Sequence, residues 1–333
     1  MKIDIAAHIL PLKYKQILFD HADSRFNLKT VIETLPPLYD MDHRFKIMDK
    51  FEELMHVITL SSPAIEEVAD PIKAIEMAKM ANDGMAELVM KYPDRFVAAI
   101  ASLPMNNIDA SLDEIDRSIK TLKFRGIQIN SSINDKPLSS DEFFPIYEKM
   151  SEYNLPIFIH PMRTFDFPDY RSEKRSKHMI FHIFGWPYET AAAMTRLTFS
   201  GVFDRYTNLR FVTHHCGGMV PFLVERIKGA FDHAEMLRGA KYKEGLLKTP
   251  IDYFKTNFYY DTAIYGNASG LMCGLAFCGI ERLLFGTDMP YDSQFGERYT
   301  RQTIQAIDNM VIDDYDKTLI YSENAKNLLR LPI

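Results

Sequence analysis

PIFIHP, residues 156–161, is the stretch on which the fold turns. Its side chains are apolar at successive positions, prolines bracket it, and its one polar residue, His160, comes near its C-terminal end. A strand that is apolar on both faces belongs to a parallel sheet covered by helices, because an antiparallel sheet with one wet face alternates apolar and polar residues. Outward from this run, seven others share its length and character: KIDIAAH (2–8), HVITLSS (56–62), FVAAIASL (96–103), GIQIN (126–130), LRFVTHH (209–215), FYYDTA (258–263) and RLLFGTDMP (282–290). Between them lie stretches with apolar residues at i, i+3, i+4 and i+7, among them residues 70–92, 111–123 and 140–153, the pattern of helices with one buried face. Eight alternating units of this kind predict an α/β fold, a (β/α)8 TIM barrel.

Two intervals are longer than a barrel connection needs, residues 9–55 and 162–208. Long connections of this type build lids and pockets over the C-terminal mouth, where barrel active sites sit. Neither repeats, low-complexity tracts nor Pro/Gly/Ser linkers interrupt the chain, so residues 1–333 are expected to form a single barrel domain with insertions at about 9–55 and 162–208.

Composition narrows the function classes. A chain of 333 residues with 47% hydrophobic residues, 25% charged residues and a net charge of −6 is an ordinary globular sequence, not a disordered or coiled-coil one. Its 39 Lys and Arg are dispersed, whereas a nucleic-acid partner needs a clustered cationic face, so none is expected. No run approaches the roughly 18 apolar residues of a membrane span. The N-terminal residues have no sustained apolar run, so no signal peptide is expected. Cys216, Cys273 and Cys278 make neither a CxxC pair nor an even framework, which fits a reduced, cytoplasmic setting.

Chemistry in a barrel is written at the C-terminal ends of its strands, and four of the eight runs end on polar residues: His8, His160, His214–His215 and Asp288. A lone histidine usually packs; several strand ends converging on one mouth are another matter. Imidazole and carboxylate are the donors that a divalent cation such as zinc takes, with a position left open for water or substrate. Asp288 also has the plainer reading of a helix cap, and Arg226, in a helical pattern, that of a surface residue. Trp186, the only tryptophan, either walls a ring pocket or staples the long insertion to the barrel. His178 and His182 are four apart, but no carboxylate stands at matching spacing, so they read as lid residues. Cys216 beside His215 reads as a spectator.

HILP after the first run, ASLPM (101–105), GIQIN, FIHP (158–161), PYETAAAM (187–194), SGVFDRYTNLRFV (200–212), HCGGMVPF (215–222), YYDTA (259–263) and FGTDMPY (285–291) occur in an order that resembles the decarboxylase branch of the amidohydrolase superfamily, which includes aminocarboxymuconate-semialdehyde and γ-resorcylate decarboxylases. The resemblance implies a metal held by His8, His160 and Asp288. In the family the first strand usually supplies a pair, HxH or ExH; here the triplet is Ala6-Ala7-His8, so only the second ligand is present. Asp4, expected on the same strand face, lies deeper. His215, before the GGxxPF turn, stands where the family has its catalytic histidine, and His214 is an additional neighbour. Arg226 matches an arginine that reaches a neighbouring subunit's site and binds substrate carboxylate, and Arg44 matches a second carboxylate-binding arginine.

The resemblance thus implies a metal-dependent nonoxidative carboxy-lyase for an aromatic or conjugated unsaturated carboxylic acid. His215 would be the base, Asp288 both ligand and proton shuttle, and Arg44, Arg226 and Trp186 the substrate contacts. Zinc comes first as the metal, with manganese, iron or cobalt as alternatives, and a homodimer or higher homo-oligomer is implied. Two other readings stand beside it: a metal-dependent hydrolase or hydratase on the same barrel, and a non-catalytic binding protein that lost its metal with the ligand at position 6.

Overall fold

The computed structural model describes residues 1–21, 28–238 and 246–333. β1 (Lys2–Ile9), β2 (Leu54–Leu60), β3 (Phe96–Ala99, resumed at Ala101–Ser102), β4 (Ile127–Asn130), β5 (Ile157–His160), β6 (Phe211–Thr213), β7 (Phe258–Asp261) and β8 (Leu283–Leu284) pair in sequence order, all parallel. The ring closes where the residues after β8 meet β1. Ile5 N–H donates to Phe285 O at 3.0 Å and His8 N–H to Met289 O at 2.8 Å, and Ala7 bridges Met289. The expected eight-stranded barrel is thus present.

Side-chain alternation divides the apolar residues into two layers. On β5, Ile157 and Ile159 join the large cluster beneath the helices, whereas Phe158 packs with Ile3, Ile5, Val57, Ile100, Val212 and Leu284 in a smaller cluster that draws on strands all round the ring. This second cluster is the barrel interior. The same alternation sends His160, two residues beyond Phe158, to the interior at the strand's C-terminal end.

The outer helices begin where local chemistry allows. Asp70 caps Pro71–Lys91, its carboxylate accepting from Ile72 N and Lys73 N at 2.9 Å, with proline in the first turn. Asn107 caps Ile108–Lys120 in the same manner through Ala110 N. The interval 9–55 holds helices Leu12–His21, Leu28–Glu33 and Met41–Met48. The interval 162–208 holds helices Trp186–Phe199 and Val202–Arg205 ahead of β6. No helix among the described residues is long and apolar enough to cross a membrane.

One irregularity bears on the site. β1 pairs Asp4 with His56 and then Ala7 with Ile58, three residues against two, which is a one-residue bulge. The alternation expected to align Asp4 with the ligand positions is therefore broken. The buried Asp4 carboxylate instead accepts from Ala6 N and from Thr287 N and Oγ1, tying β1 to the segment after β8. Burial raises its carboxyl to about 6 even with those bonds.

Candidate active site

Four strand ends deliver the polar cluster. His8 Nε2 lies 3.2 Å from Asp288 Oδ1, and His215 Nε2 lies 3.6 Å from Asp288 Oδ2, to which Tyr265 also donates at 3.5 Å. The imidazole of His160 sits 5.3 Å from that of His8, and His214 sits 5.1 Å from His160, centroid to centroid. The four histidines and Asp288 are buried, none more than 8% exposed. The second face of each ring is defined as well: His8 Nδ1 meets Thr59 Oγ1 at 2.9 Å, and His160 Nδ1 donates to Pro161 O at 2.9 Å.

The turn after β6 is built for this placement. His214 is still extended, but His215 and Cys216 take left-handed backbone (φ 55° and 53°), and so does Asp288 (φ 65°). Such conformations in residues other than glycine gather at functional sites. Gly217 and Gly218 complete the turn: a Cβ would come within 2.5 Å of the Tyr260 ring at the first and 2.3 Å of Pro187 O at the second. The two glycines are required because the turn packs directly on helix Trp186–Phe199 and on β7. Cys216 serves the turn through its N–H, which donates to Asp261 Oδ1 at 3.0 Å, while burial pushes its thiol well above the ordinary range, in keeping with a spectator.

Electrostatics separate the members. Burial, followed by the repulsion of His214 and His8, lowers His160 well below the usual histidine value, so its ring is neutral. Burial likewise lowers His214, with Asp261 opposing it. His215 goes the other way: burial works against its charged form, but the carboxylate of Asp288, 3.6 Å away, outweighs it and the imidazole is raised. Burial would raise Asp288, yet the facing imidazoles of His215 and His8 hold it well below the usual carboxylate range. The pair is therefore a carboxylate facing a histidine that readily takes a proton.

Above the cluster lies a cavity of about 240 Å³ lined by His160, Asp288, Trp186, Tyr291, Arg163, Glu67 and neighbours from residues 161–165. Trp186 is where a ring pocket would need it. Its indole lies at 20° to the His215 ring, 5.9 Å away, and its N–H donates to Arg163 O at 2.9 Å, so it both walls the cavity and staples the insertion. His182 packs against Trp186, ring centroids 4.4 Å apart and planes tilted by 54°, and His178 lies in a turn before the helix rather than on it, exposed.

Arg44 requires a correction. Helix Met41–Met48 aims it beneath the site, fully buried, where its guanidinium donates to His8 O (2.8 Å), Pro37 O (3.0 Å) and His56 Nδ1. Its donors are engaged by protein atoms, so it supports β1 and does not meet a substrate carboxylate. Arg226, on helix Val224–Arg238, is exposed and away from the cavity lining of its own chain. Sequence reasoning missed Arg163, the cationic residue of the cavity wall, paired with Glu189 at 3.1 Å. It also missed Tyr265, Tyr291 and the His214–Asp261 pair. Arg163 follows FIHPM directly, but nothing in its spacing marks it as pocket-facing.

No set of three or more His, Cys, Asp or Glu among the described residues already stands as an assembled cation site; His8 and Asp288 are bonded to each other instead. The donor chemistry nevertheless fits a divalent ion: the neutral imidazole of His160, its Nδ1 held by Pro161 O, and the ring of His8, its Nδ1 against Thr59, beside the ionised carboxylate of Asp288. His214 adds a buried Nε2 with no hydrogen-bond partner among the described residues.

This arrangement has relatives. The family model described as "Amidohydrolase" matches residues 3–331. The chain belongs to the amidohydrolase family, in its decarboxylase branch. This amidohydrolase is 29% identical over 296 residues to the γ-resorcylate decarboxylase of Polaromonas sp. (strain JS666), covering 87% of each chain, and 30% identical over 258 residues to that of Rhizobium sp. (strain MTP-10005), covering 76% of this chain and 77% of the other. Its structure superposes with a TM-score of 0.83, at 27% identity, on the dihydroxybenzoic acid decarboxylase of Polaromonas sp. JS666, a crystal structure with bound manganese and the inhibitor 2-nitroresorcinol, covering 99% of this chain and 96% of that one.

Proposed function

We propose that this amidohydrolase removes CO₂ from a single-ring aromatic acid carrying a hydroxyl next to the carboxylate, without redox chemistry. The observation that carries the proposal is Asp288 in the lining of a small cavity walled by Trp186 and His160, with His215 behind it, 3.6 Å from its carboxylate and against the Trp186 ring. Decarboxylation of such an acid requires a proton on the ring carbon that bears the carboxylate, after which the C–C bond breaks and its electrons restore the aromatic ring. The carboxylate of Asp288 raises His215, which makes His215 the proton-carrying member of the couple, and Asp288, 3.6 Å from its Nε2, orients it and relays the proton. Trp186 stacks on the ring and excludes water, and a cavity of about 240 Å³ suits one ring rather than two.

His8, His160 and Asp288 would hold a divalent cation, and the manganese of the Polaromonas relative puts manganese ahead of zinc. Bound there, the ion supplies Lewis acidity toward the substrate's carboxylate and adjacent hydroxyl. Arg163 is the cavity's cation for the remaining carboxylate charge. Arg226, exposed on its own chain, is proposed to serve the neighbouring subunit of a homo-oligomer.

Product analysis tests the reading. Incubated with a panel of ortho-hydroxybenzoic acids, the manganese-loaded protein should release CO₂ from at least one and, in D₂O, leave deuterium at the vacated carbon. A ring-opened or hydrolysed product without CO₂ would overturn the lyase assignment in favour of a hydrolase.

A further inference from the structure

Resting on the proposed metal site, we infer that His214 is a protein ligand of that metal, making the donor set His8, His160, His214 and Asp288. The alternation on β6 places it there. Val212 packs in the barrel interior, Thr213 donates outward to Tyr259 O, and His214, still extended at φ −71° and ψ 157°, returns to the interior side. It is 1% exposed, and its ring lies 5.1 Å from that of His160 and 5.8 Å from that of His8, the latter nearly parallel at 24°.

The second observation is polar accounting. Buried imidazole nitrogens find partners, since an unmet one costs roughly 1–3 kcal/mol. His214 Nε2 has none among the described residues, and Nδ1 faces Asp261 Oδ2 at 3.4 Å. Asp261 is itself fully buried and fixed by Cys216 N and Ala263 N at 3.0 Å through its other oxygen. A carboxylate behind Nδ1 selects the tautomer with the lone pair on Nε2. The same division holds across the cluster: Thr59 takes the Nδ1 side of His8 and Pro161 O that of His160, so the Nε2 side of each ring is turned to the site, that of His8 facing its fellow donor Asp288 at 3.2 Å. Ala6, which supplies no donor, is fully buried, and its methyl lies 3.1 Å from where a Cβ on Gly286 would sit, so that corner is filled by packing. Asp261 is then a positioning residue for His214.

The experiment uses the full chain, stripped with chelator and titrated with Mn²⁺ by calorimetry. The wild-type protein should bind one ion per chain and its thermal midpoint should rise with the ion. His214→Asn should keep the chelated protein's midpoint but bind Mn²⁺ at least about 100-fold more weakly and lose the ion-dependent rise, and Asp261→Asn should weaken binding about 10–100-fold. A variant-free arm, electron spin-echo spectroscopy of the wild-type Mn²⁺ protein, should count three coordinated imidazoles. Two imidazoles, or wild-type affinity in His214→Asn while His160→Ala loses the ion, would overturn the assignment of His214 and leave the metal reading standing. A wild-type protein that binds no ion would overturn both.

Discussion

Arg44 shows how a residue can occupy a recognisable position and do a different job. The resemblance maps its place in the chain; what it cannot map is direction, and helix Met41–Met48 points the guanidinium at the carbonyls of His8 and Pro37. Replacing it by leucine leaves those buried acceptors and His56 Nδ1 unmet, so Arg44→Leu should cost about 3–5 kcal/mol in urea unfolding, the range for breaking a buried charged network. The KM of the folded fraction should change less than about twofold, because an arginine bonded to the scaffold carries no uniform substrate binding. A large rise in KM with unchanged stability would restore the carboxylate-clamp reading. His8, His160 and Asp288 were legible because a polar side chain closing an apolar strand is costly to bury unless it meets a ligand or a partner. The parity of Val212 and His214 is legible as well and puts His214 on the interior side, whereas the HCGG motif marks His215.

Strands were readable from their apolar runs, and their starts agree with the structure to within about two residues, since buried parallel strands leave so little room for polar side chains. The bulge in β1 was not readable, because it arises from the pairing with β2 and not from β1 alone. For the same reason the face expected for Asp4 from simple alternation does not hold. The turn after β6 is an intermediate case: HCGG announces two glycines, and only the packing against Pro187 and Tyr260 explains them. Gly218→Ala puts a Cβ 2.3 Å from a backbone oxygen at φ 63°. It should therefore lower stability by more than about 1 kcal/mol in equilibrium denaturation and reduce turnover by displacing His215. A variant with full activity and an unchanged midpoint would show that the turn tolerates the shift.

At the scale of the molecule, net charge and buried acids set the pH response. Burial, opposed by backbone and Asn130 bonds, raises Glu66 to about 7 from an unfolded value of 4.5. A raised folded value means that its contribution to stability is present below pH 4.5 and is lost as pH climbs through 7. Glu66→Gln should match the wild type near pH 4.5 and exceed it by up to about 3 kcal/mol at pH 8, measured by urea unfolding across that range. A gap independent of pH would contradict this. Assembly is tested by complementation: if Arg226 works in the neighbouring subunit, mixtures of inactive Arg226→Ala and inactive His215→Gln chains should regain part of the wild-type activity. Mixtures that stay inactive while co-assembling would place Arg226 outside the site.

The ring closes by joining its first strand to its last, and His8 and Asp288, bonded at that seam, are 280 residues apart in the chain. Few contacts in the molecule enclose so much sequence, and loops of that length close late. During synthesis the protein has no chemistry until the eighth strand has left the ribosome and docked. Turnover therefore doubles as a proofreading signal for a finished barrel: a chain that folds most of its helices but leaves the seam open would look nearly native to a spectrometer and be silent to its substrate.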